Sequence, residues 1–298
     1  MSDRKLYVLE PGQARIVMCD EDGQNAETFV GDLKLIPDGI VIDKEAGVAY
    51  FTQMGVPNME EQTAYGDDGT IWKVSMDGSG LTKLVGDGGT RTPKQITLDK
   101  KNGKLYWGDR EGLRVMRCNT DGSELEAVVK TGNLPDDQSD QKRWCVGVAV
   151  DAENGCFYWS QKGDDDGGTG VICRAKIDMS AGEDAASRSD VEILFDHLPE
   201  PIDLELDMKN GYFYWTDRGN LPGGNSVCRA KVSADGSMSR DHDVIVEGTG
   251  ETIGVAFDHD AGEMFITSLT GELYKAKIEG GKPEQIGKFT MLTGLAVG

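Results

Sequence analysis

The feature that most restricts this chain is a pair of strand-like runs that recurs along it. The first run of each pair ends in Asp: GIVID at Asp43, QITLD at Asp99, GVAVD at Asp151, DLELD at Asp207 and GVAFD at Asp258. The steps between these residues are 56, 52, 56 and 51. A short Gly-containing turn follows, then an aromatic run: GVAYFTQMGV, GKLYWGDREG, GCFYWSQKGD, GYFYWTDRGN and GEMFITSLTG. Successive aromatic and β-branched residues suit a strand buried on both faces. A period near 50 in an all-strand pattern predicts propeller blades rather than a helical solenoid.

Each unit continues with an alternating strand around a basic residue, such as VMRCNTDG (115–122) or VCRAKVSADG (227–236), and a short fourth strand such as EAVV or DVIV. The N-terminus enters at a second strand, KLYVLE, and LTGLAVG (292–298) matches a first strand. The last seven residues are therefore expected to complete the first blade and close the ring, leaving no long open sheet edge. The fold expected is all-β: a six-bladed β-propeller with four antiparallel strands per blade, spanning 1–298 as a single domain.

Composition agrees with this and narrows function. Glycine fills 40 of 298 positions, as many tight turns demand. The net charge of −21 opposes nucleic-acid backbones and anionic membranes, so neither is expected as a partner. No apolar run reaches a membrane-spanning length, and MSDRKLYVLE has no apolar core of a secretory signal, which predicts a cytoplasmic protein. The six cysteines (Cys19, Cys118, Cys145, Cys156, Cys173 and Cys228) have no zinc-ligand spacing and are read as free thiols. No metal site and no cofactor are expected from the motifs; nucleophile elbow, P-loop and HExxH patterns are all missing.

YWTD at 214–217, with YWGD at 106–109 and YWSQ at 158–161, resembles the YWTD repeat of the low-density-lipoprotein receptor family. The motif is specific for the six-bladed fold and says little about function. In the receptors the domain binds proteins, and that is one functional class the resemblance implies: a non-catalytic interaction module. The chain is also similar in size and architecture to compact intracellular fungal propellers, among them the hetero-Diels–Alderases of tropolone sesquiterpene biosynthesis. That similarity implies a cofactor-free enzyme joining a tropolone-derived quinone methide to a humulene-type alkene. IPDGIVID (36–43) looks like a ligand strand of the gluconolactonase-like propellers, with Asp38 in the ligand position. That third resemblance implies a metal-dependent hydrolase.

The longest loops (53–69, 131–144, 161–170 and 217–225) all fall on the face where first strands begin and second strands end. Long loops in compact folds tend to carry function, so this face is the expected mouth of a site for a hydrophobic small molecule. First-strand entries offer Asp38, Gln95, Trp144, Asp203, Thr252 and Thr293. Second-strand exits offer Gln53, Asp109, Arg110, Gln161, Lys162, Asp217 and Arg218, and the loops add Met54, Met59, Tyr65, Lys142, Arg143, His197 and Leu221. Arg110, Lys162, Arg143 and Arg218 are candidates for polarising a substrate oxygen; Asp38, Asp203 and His197 for proton transfer; Trp144, Tyr65, Met54 and Met59 for an apolar wall. The recurring Asp residues that end each first strand, the Asp slot of YWTD and the basic third-strand slot (Lys73, Arg117, Arg174, Arg229 and Lys275) are read as architecture because they repeat.

Overall fold

The computed structural model describes residues 4–56 and 66–298. Its strands form six sheets of four antiparallel strands each, arranged as the blades of a propeller. Blade 1 combines Leu295–Val297 with Lys5–Glu10, Arg15–Asp20 and Glu27–Val30, so the C-terminal strand closes the ring by pairing Val8 with Leu295 and Leu6 with Val297. The other five blades run in chain order, with first strands Ile36–Asp43, Pro93–Asp99, Cys145–Asp151, Glu200–Asp207 and Thr252–Asp258.

The aromatic runs are buried as their composition demands. Trp107, Trp159, Trp215, Tyr106, Tyr158 and Tyr214 are each no more than 1% exposed, and they pack between neighbouring blades. All six cysteines are unpaired, and Cys173 and Cys228 are buried in equivalent strands. The terminal Asp of each first strand makes the turn behind it: Asp99, Asp151 and Asp207 each accept from the backbone and side-chain nitrogens of the Asn three residues on.

Two recurring contacts set the geometry at the mouth. The first is a hydroxyl at the third position of the YWTD slot. Thr216 Oγ1 accepts from the Asp203 amide at 2.9 Å and donates to the Ile253 carbonyl of the next blade at 2.6 Å. Thr52 does the same between Gly39 and Lys94, Ser160 between Gly147 and Ile202, and Thr267 between Gly254 and Thr293. Blades come so close here that a Cβ on Gly147 would stand 2.1 Å from the Ile202 carbonyl oxygen. In blade 3 the hydroxyl slot holds Gly108, and the Val146 carbonyl fills that space instead.

The second contact comes from the Asp slot. Asp109 accepts from the amides of Arg91 and Thr92, Asp217 from Glu200, and Glu10 from Thr290. Gln53, which breaks the motif, does the same job by accepting from Leu35 at 3.1 Å. Each of these bonds ties a second-strand exit to the loop entering the same blade.

Replacing Thr216 with Val leaves a buried amide and a buried carbonyl without their partner. We expect a loss of about 1–3 kcal/mol in urea-unfolding free energy. A loss no larger than about 0.5 kcal/mol, the scale of a neutral surface change, would show that the blades do not depend on the bridge.

Candidate functional site

These contacts bring one side chain from each blade to the channel at each of two levels. The lower tier sits five residues before the end of each first strand, where blades 2 to 6 carry their Asp and blade 1 carries Gly298. It consists of Asp38, Lys94, Val146, Ile202, Ile253 and Thr293. The upper tier is the residue directly after the Asp slot: Pro11, Met54, Arg110, Lys162, Arg218 and Leu269. All twelve, with Ile36 and Met291, line one open cavity of about 250 Å³ at the mouth.

The tiers are polarised. In the upper one, blades 3, 4 and 5 contribute three successive cations, and blades 6, 1 and 2 contribute Leu269, Pro11 and Met54. In the lower one, Val146, Ile202 and Ile253 form an apolar patch, with Leu269 packed against it. The cations are held in place by buried acids. Glu200 bridges Lys162 at 3.2 Å and Arg218 at 2.6 Å, and Glu111 accepts from Arg110 at 2.8 Å. Asp165 adds contacts to Lys162 and Arg218. The Trp144 ring lies 4.9 Å from the Arg110 guanidinium and 5.9 Å from the Lys162 ammonium, so one aromatic face steadies two of the three cations.

Asp38 and Lys94 form a buried ion pair across blades 2 and 3. Gln95 reaches the other oxygen of Asp38 at 3.4 Å, and Met54 Sδ lies 3.2 Å from the Lys94 ammonium. Burial lowers the pKa of Lys94 below the ordinary lysine value; Asp38 opposes that shift, and the nearby Arg110 charge adds to it.

The residues singled out from sequence divide into groups. Asp38, Met54, Arg110, Lys162, Arg218 and Thr293 meet in the cavity, with Trp144 behind it. Gln95 and Asp203 occupy the next position along the strand, where the other blades have Gly, and they line a second cavity of about 210 Å³ deeper in the channel. His197 corrects the expectation of a mouth position: it is exposed on the outermost strand of blade 4 and lines no part of the cavity. Arg143 faces an outer groove and is held by Asp140 and the Thr131 carbonyl. Gln161 lines the same groove. Gln53 and Thr252 are buried in local hydrogen bonds, and Leu221 lies over Gly168 in the neighbouring loop. Met59 and Tyr65 lie outside the described residues. Lys94, Glu111, Glu200 and the Val146–Ile202–Ile253 patch were not anticipated. Counting back five from the end of every first strand would have found four of these six, because the entry residues named from sequence mix neighbouring registers.

Among the described residues no three or more His, Cys, Asp or Glu side chains converge as metal donors. Asp38, the ligand candidate from the gluconolactonase-like resemblance, instead carries the Lys94 ammonium, which repels a cation. Among the described residues no helix is long and apolar enough to cross a membrane.

Deeper in the channel, Asp203 and Glu205 project from one strand. Burial pushes Asp203 up to about 7 and Glu205 up to about 8. Both then bind protons more tightly folded than unfolded. Their stabilising effect is complete below the unfolded carboxyl range and fades as pH climbs through about 8. Replacing Glu205 with Gln is expected to shrink the loss of melting temperature between about pH 5 and pH 8. An unchanged loss would show that Glu205 ionises without cost.

Comparison with known proteins follows the same lines. No protein-family model matches the chain. A Pyricularia oryzae protein named low-density lipoprotein receptor-related protein 1 is 42% identical over 295 residues, covering 93% of this chain and 92% of the relative. A Cochliobolus heterostrophus protein named 3-hydroxyacyl-CoA dehydrogenase-like protein LAM1 is 35% identical over 294 residues; the chain spans 60% of its length. Among solved structures, the nidogen/laminin complex has a TM-score of 0.72 at 16% identity, covering 99% of this chain and 98% of that one. A luciferin-regenerating enzyme has a TM-score of 0.59 at 15% identity, covering 87% and 78%. These last two likenesses concern the fold alone.

Proposed function

The chain belongs to the family of the low-density lipoprotein receptor-related proteins, with fungal relatives, and we propose that it is a small-molecule enzyme acting at its channel mouth. The observation that carries this reading is the polarised double tier: three adjacent cations above an apolar patch, in slots that the repeat leaves free to vary. A protein-binding face needs breadth, whereas this cavity is concave and of a size for a compact guest.

The reaction class we assign is the hetero-Diels–Alder addition suggested by the resemblance to the tropolone sesquiterpene enzymes. The heterodiene is a tropolone-derived quinone methide, and its partner is a humulene-type alkene. In the ring closure one C–C and one C–O bond form from π electrons, and no proton or leaving group departs. What the protein must supply is orientation and polarisation of the diene oxygen. Arg110, Lys162 and Arg218 can donate hydrogen bonds to that oxygen, while Val146, Ile202 and Ile253 hold carbon. The cavity of about 250 Å³ lies below the ~300–1,000 Å³ of drug-sized sites, so it holds the heterodiene and leaves the alkene to approach from the open side.

The test is to incubate the protein with a quinone-methide precursor and humulene and to separate the products on a chiral column beside a protein-free control. We expect a faster reaction with one stereoisomer enriched. Replacing Arg218 with Met should reduce the rate by roughly 10²-fold, as loss of one oxyanion donor does. Product ratios equal to the control would remove this chemistry.

A further inference from the structure

The Lys94–Asp38 pair has no architectural reason to exist. The same slot in the other four blades holds Val146, Ile202, Ile253 and Thr293, side chains that place no ion pair at that level. A buried ion pair is weak evidence of stabilisation, because two charges must be stripped of water to make it. Here that cost falls on residues at the base of an open, mostly apolar cavity. Lys94 is 9% exposed and Asp38 0%.

We propose that Lys94 is a carbonyl-capturing amine, condensing with the aldehyde or ketone of an apolar substrate in the mouth cavity to form an imine with Asp38 as its proton partner. This goes beyond the cycloaddition reading and does not depend on it.

The geometry supplies what the step requires. The ammonium contacts Asp38 directly, so a proton passes to the carboxylate without crossing solvent. The freed lone pair forms the N–C bond while the carbonyl π pair moves to oxygen. A proton shift from nitrogen to that oxygen gives the carbinolamine. Protonated Asp38 then returns its proton to the hydroxyl, the C–O bond breaks, water leaves, and a protonated imine remains beside the Asp38 carboxylate. Protons and charge balance, and no co-reactant is consumed. Burial disfavours the ammonium most strongly; Asp38 opposes this effect, Arg110 in the tier above adds to it, and Glu111 works with Asp38. The Gln95 amide holds the second oxygen of Asp38 from below. Desolvation beside another cation is a recognised way to activate a lysine nucleophile.

Benzaldehyde with cyanoborohydride is a suitable probe, since the hydride fixes any imine as a benzyl amine that peptide mass mapping locates. At neutral pH we expect Lys94 to be benzylated at least about tenfold faster than exposed lysines such as Lys100 and Lys101. Lys94→Met combined with Asp38→Asn should abolish that fast phase and stay folded, since no buried carboxylate is left unpaired and Val and Ile occupy the Lys94 slot elsewhere. Filling the cavity with Ile253→Phe should slow labelling at Lys94 while leaving Lys100 and Lys101 unchanged. Labelling of Lys94 no faster than of those exposed lysines, in folded protein, would overturn the proposal.

Discussion

The mouth depends on one small interaction, a hydroxyl shared between neighbouring blades. Thr52, Ser160, Thr216 and Thr267 each accept an amide from their own blade and donate to a carbonyl of the next. The residues that own those carbonyls are Lys94, Ile202, Ile253 and Thr293, members of the lower tier. The bond therefore fixes the backbone of a cavity residue while leaving its side chain free to differ. The Asp slot, whether filled by Asp109, Asp217, Glu10 or Gln53, fixes the upper tier in the same indirect way. Buried amides and carbonyls must find partners, so these ties are obligatory and repeat. The side chains they position need not repeat, which is how a ring of equivalent blades comes to hold a polarised site.

That polarity runs against the bulk charge. A chain of net charge −21 gathers three cations at one arc of its channel and surrounds each with buried acids. Paired in this way, the cations hold fixed positions before a ligand arrives, which is what polarising an oxygen requires. Trp144 adds rigidity by facing two of them.

The sequence carried the fold in full: the Asp-ended strands, the aromatic strands and the closing segment 292–298 all appear where the period places them. It also carried four of the six upper-tier residues, Met54, Arg110, Lys162 and Arg218, because they follow a motif that can be aligned by eye, whereas Pro11 and Leu269 were not anticipated. Of the lower tier only two of six residues were legible. Asp38 and Thr293 stand out, but Lys94 hides beside Gln95, and a bulge at the strand entry changes which of two neighbours faces the mouth. His197 misled for another reason: it belongs to the outermost strand of blade 4, away from the channel, rather than to an entry loop. Glu200 acts through a contact between blades, to Lys162, which no local pattern announces, whereas Glu111 pairs with its sequence neighbour Arg110.

The central claim is that the double tier holds an apolar molecule by its oxygen. A crystal of the protein soaked with tropolone, a compact stand-in for the heterodiene that carries no aldehyde, tests it most directly. The account predicts the ring against Val146, Ile202 and Ile253 with an oxygen within hydrogen-bonding distance of Arg110, Lys162 or Arg218. Electron density for the compound only on the outer surface, with the mouth holding water alone, would contradict it.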